Sequence, residues 1–283
     1  MTKDIKKIFY ESPYKSTKHD SYFHTYQKIF SRFVDQKITF VEVGILGGGS
    51  LFMWREYFGK NARIIGIDNN PDAKIWEDHG FEIYIGDQAN NEFWNNFKSK
   101  VGMVDILLDD GGHTDLQQST TLFEFANNIR DGGLLVTEDT HASYLKDFGN
   151  PSKYSFINLS FNLVDRLNFR SGVLEKLNEK SLDLPISEIR YFESIVVFEI
   201  DRRLKSISKQ IDNNGKELNI KDFRHKNTDR EKIDKTYRQF SFIKKIPIIG
   251  KIFERVMTGI IRKLLYQIVI NKSKKDIKKY LKK

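Results

Sequence analysis

Cysteine is absent from the chain. That excludes a disulfide framework, a thiolate nucleophile and a zinc–thiolate site, and it fits a reducing, cytoplasmic compartment. No uninterrupted apolar stretch reaches the roughly 18 residues a spanning helix needs. Met1 to Lys7 is polar and charged with no apolar run behind it, so no secretory leader is expected. No internal repeat is visible, and the dinucleotide fingerprint G-x-G-x-x-G is missing. A nicotinamide-dependent sugar oxidoreductase would need that fingerprint and usually a Tyr-x-x-x-Lys pair, and neither is expected in this chain.

That turn organises the chain. Ile38 to Val43 reads as an apolar strand, Gly44-Ile45-Leu46-Gly47-Gly48-Gly49 as the turn, and a helix leaves near Ser50-Leu51. Gly44, Gly47 and Gly48 let a ligand approach the backbone, and the helix start offers free N–H groups. The acid before the first glycine, Glu42, would repel a pyrophosphate and welcome a cationic amine. This favours the methionine moiety of S-adenosylmethionine (SAM) over a dinucleotide, with a plain tight turn as the alternative.

Short apolar runs and helical patterns then alternate: strands at 38–43, 63–67, 82–85, 104–108 and 133–137, helices at 50–58, 71–79, 90–98 and 116–129. A helix is expected at Ser155–Phe169, and Ile189–Ile200 reads as two strands hinged near Glu193. The alternation predicts an α/β fold, a Rossmann-like doubly wound sheet closed by an antiparallel hairpin. The domains expected are an N-terminal helical lid at 1–36, a catalytic α/β domain at 37–203 and a basic helical C-terminal extension at 204–283. Within the lid, Ser16-Thr17-Lys18-His19 either caps a helix over 21–33 or lies over a ligand.

Each strand ends in a polar or acidic residue, at the edge where such sheets bind ligands. Asp68 stands where an acid accepts ribose hydroxyls, which suits SAM and NAD equally. Asp87, followed by Gln88, can accept from an adenine amino group or simply close a turn. Asp109-Asp110-Gly111-Gly112-His113 and Glu138-Asp139 lie at neighbouring strand ends. Their carboxylates would repel one another unless a divalent cation joined them, and hard oxygen ligands favour Mg²⁺ or Mn²⁺. The alternative is a solvated acidic rim. His113 is a candidate general base, and His141 a second one.

Together, Val41-Glu42-Val43-Gly44 through Leu51, Gly66-Ile67-Asp68, Gly86-Asp87-Gln88, Asp109 to His113 and Glu138 to Tyr144 resemble the metal-dependent sugar O-methyltransferases of macrolide biosynthesis. The resemblance covers about residues 15 to 201 and leaves the basic tail unmatched. It implies the class I SAM methyltransferase fold, with Asp110, Glu138 and Asp139 on Mg²⁺ and His113 as base. It also implies a cofactor site of Glu42, Gly44, Gly47, Gly48, Ser50, Leu51, Asp68, Asp87, Gln88 and Asp109. The acceptor implied is a hydroxyl of a saccharide or glycan; a non-sugar acceptor, or a non-catalytic SAM- or nucleotide-binding module, is the alternative. Gly112 stands where Ser is frequent in relatives.

Charge divides the chain. Residues 202–283 hold 25 Lys and Arg against 8 Asp and Glu, a formal +17, leaving −8 on residues 1–201. Apolar positions from 249 to 268 recur at i, i+3 and i+4, predicting an amphipathic helix over about 248–270. It can dock on the catalytic domain or on a second subunit, as in a homo-oligomer, or lie on an anionic membrane surface, which would make the protein peripheral to the inner face of a membrane. Nucleic acid is disfavoured, because aromatics are not interleaved with the basic residues.

Overall fold

The computed structural model describes residues 3–204 without a break, then 207–216, 218, 220, 223, 226, 228–239, 256, 262–278 and 280–281. Two compact units divide after Ile211.

The first unit is built on a seven-stranded sheet: β1 (Thr39–Val43), β2 (Arg63–Asp68), β3 (Glu82–Ile85), β4 (Val104–Asp109), β5 (Ile129–Thr137), β6 (Ile186–Phe192) and β7 (Ile195–Ile200). Their order is β3-β2-β1-β4-β5-β7-β6, with β7 antiparallel to both neighbours and the rest parallel. The predicted hairpin closure is therefore present. Every residue of β1 is buried, because helices cover both faces of a parallel sheet and leave no side for water.

On one face pack α1 (Ile5–Glu11), α2 (Asp20–Phe30) and α3 (Gly49–Phe58), through Tyr22, Tyr26, Phe30, Trp54 and Phe58 against Phe40 and Ile106. On the other pack α4 (Asn91–Val101), α5 (Asp115–Phe125) and α6 (Phe156–Asn168), through Trp94, Phe97, Phe125 and Phe156 against Val41, Leu107 and Leu135. Chain order reverses between β1 and β4, which opens the crevice used for ligands in such sheets. Register aligns the strand tips around it: Val43 lies beside Ile67 and Asp109, and Asp109 beside Thr137.

The elements depart from the sequence reading in a few places. Residues Pro71–His79 form a 3₁₀ turn, not an α-helix; its buried residues, Ala73 and Trp76, are three apart, the spacing that eclipses at that pitch. The helix expected to 129 ends at Phe125, and β5 begins at Ile129, because Ile129 pairs with Val104 across a register shift. Helix α1, which apolar spacing did not signal, is started by Asp4, whose side chain accepts from the backbone N–H of Lys6 and Lys7 at 3.0 and 3.2 Å.

In the second unit, α7 (Asp229–Gln239) and α8 (Arg262–Ile277) pack together. The Tyr266 hydroxyl donates to Asp234 at 2.8 Å, and Lys272 reaches Asp229 at 3.1 Å. Of the amphipathic stripe expected at 249–268, Val256 and residues 262–268 fall among the described residues, and the remainder lies outside them. Leu264 and Ile268 are exposed. Among the described residues no helix is long and apolar enough to cross a membrane.

Candidate active site

A cleft of about 440 Å³ opens at the carboxyl tips of β1, β2, β4 and β5, within the roughly 300–1,000 Å³ usual for small-ligand sites. Gly44, Leu46, Asp68, Asp87, Gln88, Asp110, His113, Glu138 and Asp139 line it, and so do Thr17, Lys18, His19 and Tyr22 from the N-terminal segment.

Gly44 has φ +82°, and a Cβ there would stand 2.2 Å from the carbonyl oxygen of Asp110, so only glycine fits between the β1 and β4 tips. Gly48, Ser50 and Leu51 do not line the cleft, and neither does Gly47. The close approach the later glycines permit is by the chain itself: a Cβ on Gly48 would strike Trp76, and one on Gly49 the backbone of residues 14 and 15. One carboxylate oxygen of Asp68 accepts from Ile45 N and Leu46 N at 3.1 and 2.9 Å, fastening the turn, while the residue still borders the cleft. Asp109 is buried and internal: it accepts from the Gln88 amide at 2.8 Å and from Gly111 N at 3.2 Å. Burial raises its pKa, against these two bonds. The same Gln88 amide accepts from Gly112 N at 2.9 Å, so this pair braces the β4 loop.

The acids beyond β4 and β5 do converge. Ligand atoms of Asp110, His113 and Asp139 lie within 4.8 Å of one another, and those of His19, Asp139 and His141 form a second such group. His113 Nε2 is 3.3 Å from Asp139 Oδ2, while its Nδ1 is buried without a partner. Glu138 is turned inward: one oxygen accepts from the Tyr26 hydroxyl and the other from Lys18 Nζ at 3.0 Å. Burial, supported by Asp110, raises its pKa despite Lys18 and Tyr26.

The sequence reading names Lys18 only as part of Ser16 to His19, and assigns neither it nor Tyr22 and Tyr26 to the acid cluster. Lys18 Nζ stands 2.5 Å from Asp110 Oδ2 and 3.5 Å from Glu42 Oε1, with its side chain 2% exposed. Burial opposes its charge, but Asp110, Glu138 and Glu42 outweigh this and push its pKa well up. Glu42 itself is fully buried behind it, held by the Ser50 hydroxyl at 2.6 Å, and burial raises its pKa. The cation that the sequence predicts at Glu42 is thus supplied, in this structure, by the chain. Ser16 to His19 does not cap α2 through His19, which makes no side-chain cap, and Thr17, Lys18 and His19 border the cleft. Tyr22 and Tyr26, one turn apart on α2, send their hydroxyls to Asp139 and Glu138. That i, i+4 tyrosine pair was the available signal. Tyr14 and Lys18 do have the Tyr-x-x-x-Lys spacing, but Tyr14 packs its ring on Phe52 and Trp76 while Lys18 enters the acids.

Backbone strain gathers here. Leu46, His113 and Asp139 all have positive φ, at 42°, 58° and 52°. Leu46 is also 91% exposed, so its side chain contributes little packing. Leu46→Gly is expected to raise stability by about 0.5–1 kcal/mol, seen as a later denaturation midpoint; a lower midpoint would show that the turn needs this side chain.

No family model matches the chain. Among curated proteins it is 31% identical over 156 residues to the 8-demethyl-8-(2-methoxy-alpha-L-rhamnosyl)-tetracenomycin-C 3'-O-methyltransferase of Streptomyces olivaceus, covering 51% of this chain and 40% of that one. It is 30% identical over 154 residues to the demethylmacrocin O-methyltransferase of Streptomyces fradiae, covering 50% and 38%. The mycinamicin VI 2''-O-methyltransferase of Micromonospora griseorubida is 30% identical over 131 residues, covering 44% and 32%. The aligned part thus spans well under half the length of these relatives. The solved MycE methyltransferase of the mycinamycin biosynthetic pathway, in complex with Mg and SAH, superposes with a TM-score of 0.60 at 22% identity, covering 72% of this chain and 56% of that one. A MycE complex with Mg, SAH and mycinamycin VI gives 0.61 at 23%, covering 71% and 54%. The sheet is accordingly that of the class I SAM methyltransferases, and in the aligned part the chain is similar to sugar O-methyltransferases of glycosylated natural products.

Proposed function

We propose that the protein is a SAM- and Mg²⁺-dependent O-methyltransferase acting on a saccharide hydroxyl. The observation that carries this reading is the meeting of Asp110 and Asp139 beside His113, with Glu138 lining the same end of a cleft bordered by Gly44, Asp68 and Asp87. The donor set fits a hard divalent cation, since two carboxylates, one imidazole and no thiolate face one small volume, with Glu138 adjacent and turned onto Lys18 and Tyr26. Gly44 and Leu46, at the start of the glycine turn, border the cleft where a cofactor would approach, with Asp68 and Asp87 at the next two strand tips.

Asp110, Glu138 and Asp139 would hold the cation, and Asp68 and Asp87 would face the nucleoside of SAM. A bound Mg²⁺ supplies acidification of an otherwise unreactive alcohol and SAM supplies the methyl group. The chain's own part is a proton transfer. His113 would take the hydroxyl proton, and Asp139, whose Oδ2 lies 3.3 Å from His113 Nε2, would orient the ring and stabilise the imidazolium. The cleft walls fix the attacking oxygen against the methyl carbon.

A second reading is favoured by one observation, the seating of Lys18 among the acids: a non-catalytic SAM- or nucleotide-binding module. The +17 of residues 202–283 supports a finer version of the first reading, an enzyme of surface polysaccharide or lipid-linked glycan synthesis held at an anionic membrane. Incubation of the full chain with labelled SAM, Mg²⁺ and a panel of glycosylated natural products, nucleotide sugars and lipid-linked sugars tests these readings. Transfer to a glycan, abolished by chelator and restored by divalent metal, is expected. SAM binding with no metal-dependent transfer to any panel member would contradict the enzyme and favour the module.

A further inference from the structure

Among described residues, Lys18 is a lysine whose ammonium is enclosed by three carboxylates, a costly arrangement unless something depends on it. We infer that Lys18 and a divalent cation are alternative occupants of one acid cluster, so that Lys18 lowers the metal affinity of the site and ties metal binding to release of the N-terminal segment. The inference rests on reading these acids as the cation site.

Three facts carry it. Asp110 Oδ2 is 2.5 Å from Nζ. A Mg²⁺ ion needs its oxygens at about 2.0–2.1 Å, so one bound to that oxygen would crowd the ammonium and repel it. Lys18 Nζ bridges Asp110 Oδ2 and Glu138 Oε2 at 2.5 and 3.0 Å, the place a cation shared by these two acids would take, while the other Glu138 oxygen accepts from Tyr26. Glu42 Oε1 is buried 3.5 Å from this ammonium, with the Trp54 indole also beside the carboxylate, so three carboxylates surround a single lysine.

The segment that delivers Lys18 is suited to leaving. Residues 12–19 join α1 to α2 without regular structure. They are fastened by the Ser12 hydroxyl on the Gly49 carbonyl at 3.0 Å and by the Tyr14 ring on Phe52 and Trp76. The flexible lysine stem can withdraw without breaking a helix.

Mn²⁺ titrated alone into the full chain, with free ion followed by electron paramagnetic resonance, tests this. Lys18→Met is expected to bind Mn²⁺ at least about tenfold more tightly than wild type, while Lys18→Arg, which keeps the charge, stays as weak as wild type. In wild type, Mn²⁺ saturation is expected to increase tryptic cleavage after Lys15. Equal or weaker binding by Lys18→Met with wild-type circular dichroism would overturn the inference and leave the cation site standing. Should Lys18→Met fail to fold, unchanged cleavage after Lys15 in the wild type would overturn it just as well. Absence of Mn²⁺ binding in wild type and variants alike would remove the cation site and this inference with it.

Discussion

Asp139→Asn is expected to slow methyl transfer by about 10³–10⁴, the largest loss from any single isosteric change in this site. Asp139 serves both halves of the chemistry. It belongs to each group of converging ligand atoms, and its Oδ2 faces His113 Nε2 at 3.3 Å while its Oδ1 accepts from the Tyr22 hydroxyl. Asparagine keeps the shape and removes the charge. Turned one way its NH₂ opposes the imidazole N–H, and turned the other it offers His113 only an uncharged carbonyl oxygen, which stabilises an imidazolium less than a carboxylate does. The backbone does not object, because asparagine adopts the left-handed region as readily as aspartate does, and φ here is 52°. The variant should therefore fold with a nearly unchanged denaturation midpoint and fail in single-turnover transfer. Retention of more than a tenth of the wild-type rate would mean that Asp139 neither holds the cation nor orients His113.

His113→Asn is the second large effect, a loss of about 10²–10⁴ in turnover with SAM affinity retained. His113 also has positive φ, 58°, so alanine would mix backbone strain with the loss of the base, whereas asparagine tolerates the conformation. Asparagine cannot take a proton from a hydroxyl. Equilibrium binding of SAM, measured alongside transfer, separates the proton step from cofactor binding. A fall in SAM affinity that matched the fall in rate would move His113 from proton transfer to cofactor binding.

The sheet was legible because its strands are contiguous apolar runs, a consequence of burial on both faces, and because glycines and acids mark where each run stops. Glu42, Asp68, Asp87, Asp110, Glu138 and Asp139 were legible for a related reason: parallel strands bring all their carboxyl ends to one edge, so consecutive strand ends become spatial neighbours. The pitch of Pro71–His79 was not legible, since apolar residues three apart suit an α-helix and a 3₁₀ turn alike. Nor was the role of Glu42. Its environment demands a cation, but whether that cation is a cofactor amine or Lys18 depends on how residues 12–19 cross the glycine turn.

Lys18, Tyr22 and Tyr26 mark the limit of local reasoning. They meet Asp110, Glu138 and Asp139 across 92 to 120 positions of sequence, through the docking of α2 on the sheet. Read alone, Tyr22 and Tyr26 are part of an apolar helical face, and their buried rings do pack as one. Their hydroxyls matter only because that face ends beneath the tip of β5. The same docking holds the acids in place before any ligand arrives, which is the preorganisation a charged site requires.

Anomalous scattering from crystals of the full chain grown with Mn²⁺ and SAM tests the central claim most directly. The account predicts one strong manganese peak coordinated by Asp110 and Asp139, with Glu138 turned to join them, Lys18 withdrawn and the SAM sulfonium alongside. A peak anywhere else, or Lys18 still seated between Asp110 and Glu138 with SAM bound and no manganese beside it, would contradict it.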